Sequence, residues 1–163
     1  MATRPRSDLL LGEWACLGLL ATGRSHGFAV ATQLKPSSDL GRVWSQSRPL
    51  VYRALDHLTE LGYVTPTGEE PGIAGGNRTI YAVTPLGRRR LRTWLTTPVA
   101  HLRDVRSELV MKVMLAERCR VDLRPMLAAQ RAQFAALAES LAGQRASGDV
   151  VATWRSEFAD AAI

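Results

Sequence analysis

Apolar side chains recur at helical spacing over residues 48–61, which predicts an amphipathic α-helix there. Ser47 as N-cap, Pro49 in the first turn and Gly62 after the last turn mark its limits. The predicted buried stripe consists of Val51, Leu55, Leu58 and Leu61. The opposite, polar face consists of Arg48, Tyr52, Arg53, Asp56 and His57. This helix therefore has one face for a core and one face for solvent or a partner.

Two β-strands are predicted downstream, at 63–66 and 78–83, on either side of the segment TGEEPGIAGGN. That segment is too rich in Gly and Pro for regular structure and is predicted to be a wing loop. Thr84 as N-cap, with Pro85 directly behind it, begins another helix over 85–96. Helix, strand, glycine-rich tip, strand and helix follow each other in the winged-helix order, which places one helix in a DNA groove and a loop beside it.

The chain before this segment is predicted to form two helices and a loop. The first helix, over 8–22 with Ser7 as N-cap, is apolar nearly all round, so it needs cover on two sides. One side can be its own core, and a second subunit is a candidate for the other. The second helix, over 26–34, is followed by a largely irregular segment at 35–46. Core positions predicted in the second helix are Phe28, Val30, Ala31 and Leu34.

The chain beyond the Thr97-Pro98 break is predicted to be helical. One stretch covers 102–118, a second runs from an Asp122 cap to about Leu141, and VVATWRSEFADAAI forms the last. The second carries a heptad-like seam with one polar interruption. Its members are Leu123, Leu127, Gln130, Phe134, Leu137 and Leu141. The last helix would present one apolar face made of Val151, Trp154 and Phe158.

The predicted fold class is mainly α with a small β-wing. A winged helix-turn-helix DNA-binding domain would occupy residues 1–97, and a C-terminal helical dimerisation region would occupy residues 98–163. The length of 163 residues and the apolar content of 46% suit a small domain with an accessory helical part.

Basic residues are concentrated in the segment that would touch DNA. Residues 24–103 contain eleven Lys and Arg against five Asp and Glu, whereas the rest of the chain has ten of each. Phosphate contact is the usual reason for such an asymmetry. The candidate DNA-binding residues are Arg48, Tyr52, Arg53 and Arg78. A denser basic run, either a solvated face or a further backbone contact, consists of Arg88, Arg89, Arg90 and Arg92.

No catalytic or metal-binding constellation is recognisable in the sequence. The two cysteines, Cys16 and Cys119, do not indicate structural zinc, and a disulfide between them has no sequence support. The three histidines, His26, His57 and His101, are expected to make structural hydrogen bonds rather than act as bases. We therefore expect no enzyme, no cofactor and no metal. No run approaches the length of a membrane span and no secretory segment is recognised, which favours a cytoplasmic protein without a membrane partner.

Three motifs resemble the PadR-type transcriptional regulators. LGLLATGRSHGFAVATQL resembles the opening of that family, LVYRALDHLTELGYV its recognition helix, and GGNRTIYAVTPLGRRRL its wing and the helix start that follows. Together they cover roughly residues 10–96. Two positions depart from the family: Arg53 stands where Pro is frequent, and Arg78 begins Arg-Thr-Ile-Tyr where Arg-Lys-Tyr-Tyr is frequent. The resemblance implies that Arg78 keeps the wing's phosphate contact without the lysine and that Arg53 is placed to add another.

The resemblance and the charge pattern together imply a homodimeric transcriptional regulator, a repressor, that binds double-stranded DNA at a pseudo-palindromic operator. The alternative is a winged-helix protein–protein interaction module in a larger assembly, whose basic face meets an acidic partner.

For some members the resemblance also implies a flat, hydrophobic aromatic effector bound between subunits. Trp14 and Trp154 are the candidate effector-binding residues, because aromatic faces offer large contact areas at little entropic cost. The other interpretation of both tryptophans is core packing. The sequence indicates no cluster of buried charges that would suit a phosphate or an amino acid as effector.

Overall fold

The structure is a computed structural model that describes residues 9–72, 75–142 and 149–161. Its α-helices are α1 (Leu11–Ala21), α2 (Gly27–Gln33), α3 (Asp39–Val43), α4 (Arg48–Glu60), α5 (Pro85–Leu95), α6 (Val110–Cys119), α7 (Arg124–Ala142) and α8 (Val150–Ala161). Its strands are β1 (Ser25–His26), β2 (Val64–Pro71) and β3 (Asn77–Val83). A 3₁₀ turn at Leu102–Asp104 and a π-helical turn at Val105–Leu109 lead into α6. The predicted fold class, mainly α with a small β-wing, is confirmed.

Helices α4 and α5 lie within a residue of their predicted limits because both carry clear end signals. Ser47 is the extended N-cap residue of α4, and Gly62 beyond its end has a left-handed φ of 71°. The Thr84 side chain caps α5 by accepting a hydrogen bond from Gly87 N at 3.0 Å. The buried residues of α4 are Val51, Ala54, Leu55 and Leu58.

The wing is a longer hairpin than the sequence predicts. Strands β2 and β3 pair antiparallel from Val64–Val83 out to Pro71–Asn77, so residues 67–71 are strand rather than irregular loop. The cross-strand partner stabilises this segment despite its low β-propensity, since propensity is largely a matter of what a strand pairs with. Residues 73–74, inside the predicted loop, lie outside the described residues. The two-residue strand β1, which no pattern predicts, pairs with the other side of β3.

Segment 35–46 is also more regular than predicted, because α3 forms within it. The Ser38 side chain caps α3 by accepting a hydrogen bond from Gly41 N at 3.1 Å. Leu40 of α3 is fully buried and joins the main core. A helix of five residues is too short to show a periodic pattern, and the Gly and Pro around it favour loop.

Helix α1 is buried on every side within this one chain. It begins at Leu11, and the N–H of the preceding Leu10 donates to the Glu13 carboxylate at 2.7 Å. The predicted N-cap, Ser7, lies outside the described residues. Residues 12–20 are all buried, with α4 on one side and α6 on another. The inference that a second subunit covers α1 is therefore wrong. Helix α6, distant in sequence, supplies that cover, and Gly18 gives the Leu115 side chain room to approach.

The C-terminal helices are predicted correctly as helices, but their heptad-like seam is not a coiled coil within the chain. Gln130, its polar interruption, binds one loop residue twice: its Oε1 accepts from Val99 N at 2.6 Å and its Nε2 donates to Val99 O at 3.1 Å. Leu127 of the seam is 40% exposed, whereas Phe134 is fully buried. The residues of the seam therefore contact several different parts of the chain rather than one partner helix.

Helices α7 and α8 form a second, smaller apolar cluster. Its buried members are Ala138, Leu141 and Ala159, with Leu102 and Leu137 packed against them. The main core, in contrast, extends from Leu9 through the wing and α6 to Met126. The division of the chain at residue 97 stays a prediction, and α6 on its C-terminal side contributes to the main core.

Candidate nucleic-acid interface

The exposed face of α4 presents three of the four predicted DNA-binding residues. Because 3.6 residues complete a helical turn, burial of Val51, Leu55 and Leu58 turns Arg48, Tyr52 and Arg53 outward. Tyr52 is 42% exposed, and its ring lies over the start of α2. A Cβ added to Gly27 would come within 2.6 Å of Tyr52 Cε1, so glycine at that position is what lets the ring pack there.

Phe28 joins this face, although the sequence analysis assigned it to the core. It is 36% exposed at the start of α2, while Val30, Ala31 and Leu34 are buried as predicted. Two guanidinium groups lie against its ring: Arg48 Cζ is 4.6 Å from the ring centroid and Arg78 Cζ is 5.4 Å from it. Such cation–π contacts hold the two arginines in place at an exposed site, and the guanidinium groups cover part of the Phe28 ring. The structure therefore brings Arg48, Tyr52 and Arg78 together around the start of α2.

Arg53 lies apart from that group. It lines a groove of about 490 Å³ with Leu10, Trp44 and His57, between α4 and the start of α1. His57 makes a contact that the sequence analysis missed, since its Nδ1 lies 2.6 Å from Glu13 Oε1 across the interface of α4 with α1. Separation by 44 residues hides this pair from any local pattern.

His26 makes the structural hydrogen bond expected of it. Its Nδ1 accepts from Ala29 N at 3.1 Å, which caps α2. Its other ring nitrogen, Nε2, lies 3.4 Å from Arg78 Nη1. The β1–β3 pairing places His26 opposite Ile80, two residues from Arg78, and so explains this proximity.

The wing itself carries more negative than positive charge. Arg78 is the one basic residue among 64–83, whereas Glu69 and Glu70 lie on β2. The Asn77 side chain donates to Glu69 Oε2 at 2.7 Å across the hairpin. Since Arg78 turns toward Phe28 and His26, its positive charge belongs to the α4 face rather than to the wing tip.

The basic run on α5 is divided between internal contacts and solvent. Arg88 Nη1 donates to Ala21 O at 3.2 Å, and Arg90 Cζ lies 5.6 Å from the centroid of the Trp14 ring. Arg89 and Arg92 are exposed. Two of the four arginines thus hold α5 to α1.

Trp14 and Trp154, the predicted effector-binding residues, lie in different environments. Trp14 is 5% exposed and stacks on Trp94, with ring centroids 4.7 Å apart and planes 6° apart. Trp154 is 62% exposed and stacks on Phe158 at 5.5 Å. Trp14 is therefore a core residue, and the predicted apolar face of α8 is largely solvent-exposed.

A cavity of about 510 Å³ beside the Trp14–Trp94 stack contains buried charge, contrary to the sequence analysis. Lys112 is 1% exposed, and its Nζ lies 3.0 Å from Glu108 Oε1 and donates to Thr97 O at 2.6 Å. Trp94 Nε1 donates to the same carboxylate oxygen at 3.2 Å. Burial lowers the pKa of Lys112, an effect that the contact with Glu108 opposes. The i, i+4 spacing of Glu108 and Lys112 is compatible with a helical ion pair, but no local pattern indicates that this pair is buried beside Trp94.

The two cysteine thiols are free in the structure. Burial, with the Glu13 carboxylate adding to it, raises the pKa of Cys16 to about 12. Across residues 9–72, 75–142 and 149–161, no group of three His, Cys, Asp or Glu is placed to hold a metal ion. Within the same ranges, no helix has both the length and the apolar character needed to cross a bilayer.

Residues 16–93 match the Transcriptional regulator PadR-like family. The curated negative transcriptional regulator PadR of Bacillus subtilis (strain 168) is 28% identical over 100 residues, which make up 61% of this chain and 53% of that protein. The match thus spans about half the length of that relative.

Two solved structures resemble this one. Bacillus subtilis PadR in complex with operator DNA superimposes with a TM-score of 0.51 and 23% identity, covering 81% of this chain and 73% of the other. Identity at that level shows the shared fold, a winged helix with C-terminal helices. The protein smu.1604c of Streptococcus mutans UA159 gives a TM-score of 0.48 with 15% identity, over 93% of this chain and 94% of the other.

Proposed function

We propose that this chain, whose residues 16–93 match the PadR-like family of transcriptional regulators, is a homodimeric DNA-binding repressor. The observation that carries the proposal is the gathering of Arg48, Tyr52 and Arg78 on one exposed face at the junction of α4, α2 and β3. The relative from Bacillus subtilis is named a negative regulator, and we propose that this chain also represses transcription.

The exposed face of α4 is suited to a major groove. An α-helix fits that groove, and side chains from its N-terminal half reach base edges and phosphates. Arg48 at the first residue of α4 and Tyr52 one turn later occupy that half. Arginine reads guanine in a bidentate manner or binds phosphate, and the tyrosine hydroxyl donates to phosphate. Arg53, on the flank of the helix, is proposed as a backbone contact.

Dimerisation is proposed to use the C-terminal helices. Several large apolar side chains of α6 and α8 are exposed, and burying them against a second copy would remove that surface from water. They are Val110, Val113, Val150, Val151 and Trp154. A two-fold dimer carries two copies of α4, which would read a pseudo-palindrome with half-sites about one helical turn apart or a multiple of it.

An effector, where one acts, is proposed to be flat, apolar and aromatic, and to bind against Trp154 at that dimer interface. The exposed ring of Trp154 offers a free contact area, whereas the ring of Trp14 is already covered by Trp94. A ligand that binds two dimer arrangements unequally shifts DNA affinity by that difference.

Binding to duplexes selected from a random-sequence pool tests the DNA-binding proposal. The wild-type chain should enrich a two-fold-related sequence, and its affinity for that sequence should fall steeply with salt. The combined variant Arg48→Ala, Tyr52→Ala, Arg53→Ala and Arg78→Ala should lose up to about 2.7 units of the slope of log K against log salt, since three arginines are removed.

A matched control removes three arginines from elsewhere in the described chain. Arg106, Arg131 and Arg155 are exposed and lie outside the α4 face, so their combined replacement by Ala lowers the net charge equally. This control should bind the selected duplex nearly as the wild type does. Selection of no sequence, together with salt-sensitive capture of an acidic protein, would favour the alternative of a protein–protein interaction module.

A further inference from the structure

His26 and Arg78 meet at the edge of the α4 face in an arrangement that hydrogen bonding within the protein does not satisfy. His26 Nδ1 lies 3.1 Å from Ala29 N, and His26 Nε2 lies 3.4 Å from Arg78 Nη1. A backbone N–H and a guanidinium both only donate hydrogen bonds. A neutral imidazole has one accepting nitrogen, so it cannot accept from both.

Geometry decides which of the two contacts is the hydrogen bond. The contact with Ala29 N is the shorter, lies in the usual range for N–H donors, and satisfies a helix N–H that has no other partner in the helix. The contact with Arg78 is longer than a usual hydrogen bond, and the arginine side chain is free to rotate away. We therefore assign the proton to Nε2, which makes His26 a neutral donor beside a cationic one.

Arg48 extends this pair of donors into a cluster. Its guanidinium and that of Arg78 both lie against the Phe28 ring, at 4.6 and 5.4 Å from the centroid. The His26 and Phe28 ring centroids are 6.4 Å apart. Among the described residues, no carboxylate forms an ion pair with Arg48 or Arg78. Two positive charges and a neutral N–H thus surround one exposed ring, and the missing component is an anion.

We propose that His26 Nε2–H and Arg78, with Arg48 beside them, form a binding site for one backbone phosphate of DNA. A single phosphate oxygen can accept from two donors separated by 3.4 Å. Hydrogen bonds to a charged acceptor are stronger than those between neutral groups. The proposal rests on the proposed function for its source of phosphate. It adds a contact from the start of α2, an element distinct from the recognition helix, which fixes the register of α4 on the duplex.

The substitution His26→Asn separates this role from helix capping. Asparagine is a preferred N-cap residue, so α2 keeps its acceptor, but its shorter side chain does not reach the position of Nε2. We expect the thermal unfolding midpoint to stay within a few degrees of wild type and the affinity for the selected duplex to fall about tenfold. The control His101→Asn, at an exposed histidine away from this face, should change neither quantity.

The salt dependence distinguishes the neutral donor from the charged one. His26→Asn should lower affinity equally at all salt concentrations, because no counterion is released by a neutral group. Arg78→Ala should lower the slope of log K against log salt by about 0.9. A loss of slope in His26→Asn would overturn the assignment of His26 as neutral, and unchanged affinity in a folded His26→Asn would overturn the site.

Nitrogen-15 NMR of the imidazole gives a readout on the wild-type chain, so it does not depend on whether a variant folds. The spectra of the free protein should show the Nε2–H tautomer, and duplex DNA or inorganic phosphate should shift that signal. An Nδ1–H tautomer would overturn the proposal. If the wild-type chain binds no duplex while inorganic phosphate still shifts the His26 signal, the anion site stands and the proposed DNA-binding function fails.

Discussion

Leu55 of α4 and Trp154 of α8 are both large apolar side chains on amphipathic helices, yet Leu55 is fully buried and Trp154 is 62% exposed. The region around α4 completes its core within one chain, with α1 at the centre and α6 as its distant cover. Helix α7 buries Phe134 and Leu141, but the buried residues of α8 are all small, and large side chains such as Trp154 are exposed. One region is therefore stabilised by internal packing, while the other leaves large apolar side chains exposed, where we propose that a second copy binds.

The largest expected difference between the two regions is in the cost of a core cavity. Leu55→Ala should lower the free energy of unfolding by about 2–5 kcal/mol, because the surrounding main core cannot collapse onto the space. Leu141→Ala, in the small cluster, should cost less than about 2 kcal/mol because its neighbours relax more easily. Urea unfolding of both variants measures this. Equal costs would show that the α7–α8 pair is as tightly packed as the main core.

The next test concerns the ion pair between the buried Lys112 and Glu108, which lies beside the Trp14–Trp94 stack of the main core. Glu108→Gln leaves the Lys112 charge without its anionic partner, and we expect a loss below about 3–5 kcal/mol, since Glu108 is one-third exposed. The matched change Glu117→Gln, at an exposed position of α6, should cost under about 0.5 kcal/mol. Lys112→Met should restore most of the loss in Glu108→Gln, because an apolar side chain needs no partner.

The apolar face of α8 provides the test of assembly. Trp154→Ser should weaken dimerisation about 30-fold or more, the effect of truncating an aromatic residue at the centre of an interface. Arg155→Ser, at the adjacent exposed residue, should leave the dimer dissociation constant within about threefold. Sedimentation equilibrium over a range of concentrations measures both. A wild-type chain that stays monomeric at micromolar concentration would show that this face serves another purpose.

Helix caps give the smallest contrast. Thr84→Ala removes the cap of α5 and a hydrogen bond from Thr84 Oγ1 to Gly62 O at 2.6 Å, and it should cost about 1 kcal/mol. At the start of α8, Asp149 Oδ1 accepts a hydrogen bond from Val151 N at 2.9 Å. Asp149→Ala removes this cap and should lower global stability by less than Thr84→Ala does. Thermal unfolding compares the two, with Thr84→Ser as the control that keeps the hydroxyl.

Local signals explain what the sequence predicts well. Helix α4 follows from an apolar stripe bounded by Ser47 and Gly62, and α5 follows from Thr84 and Pro85. These features act within one or two turns of chain, so pattern and capping identify them without knowledge of the fold. The family resemblance and the concentration of positive charge on this segment follow from the sequence in the same way.

The candidate site was predicted only in part. Arg48, Tyr52 and Arg78 gather at the start of α2, but no local pattern identifies Phe28 or His26 as their neighbours. The pattern of α2 predicts a core position for Phe28, and His26 is expected only to make a structural hydrogen bond. Their second role arises from β1, a two-residue strand that exists only because β3 is there to pair with it.

By itself, the sequence determined which stretches form amphipathic helices, where α4 and α5 start and stop, and where positive charge accumulates. Only the tertiary structure decided which partners those side chains meet. An apolar pattern records that α1 needs cover on two sides, and it contains no information on whether α6 or a second subunit supplies it. The same holds for Trp14 on Trp94 and for Glu13 beside His57. Burial depends on contacts between residues far apart in the chain, and periodicity reports only on residues close together in it.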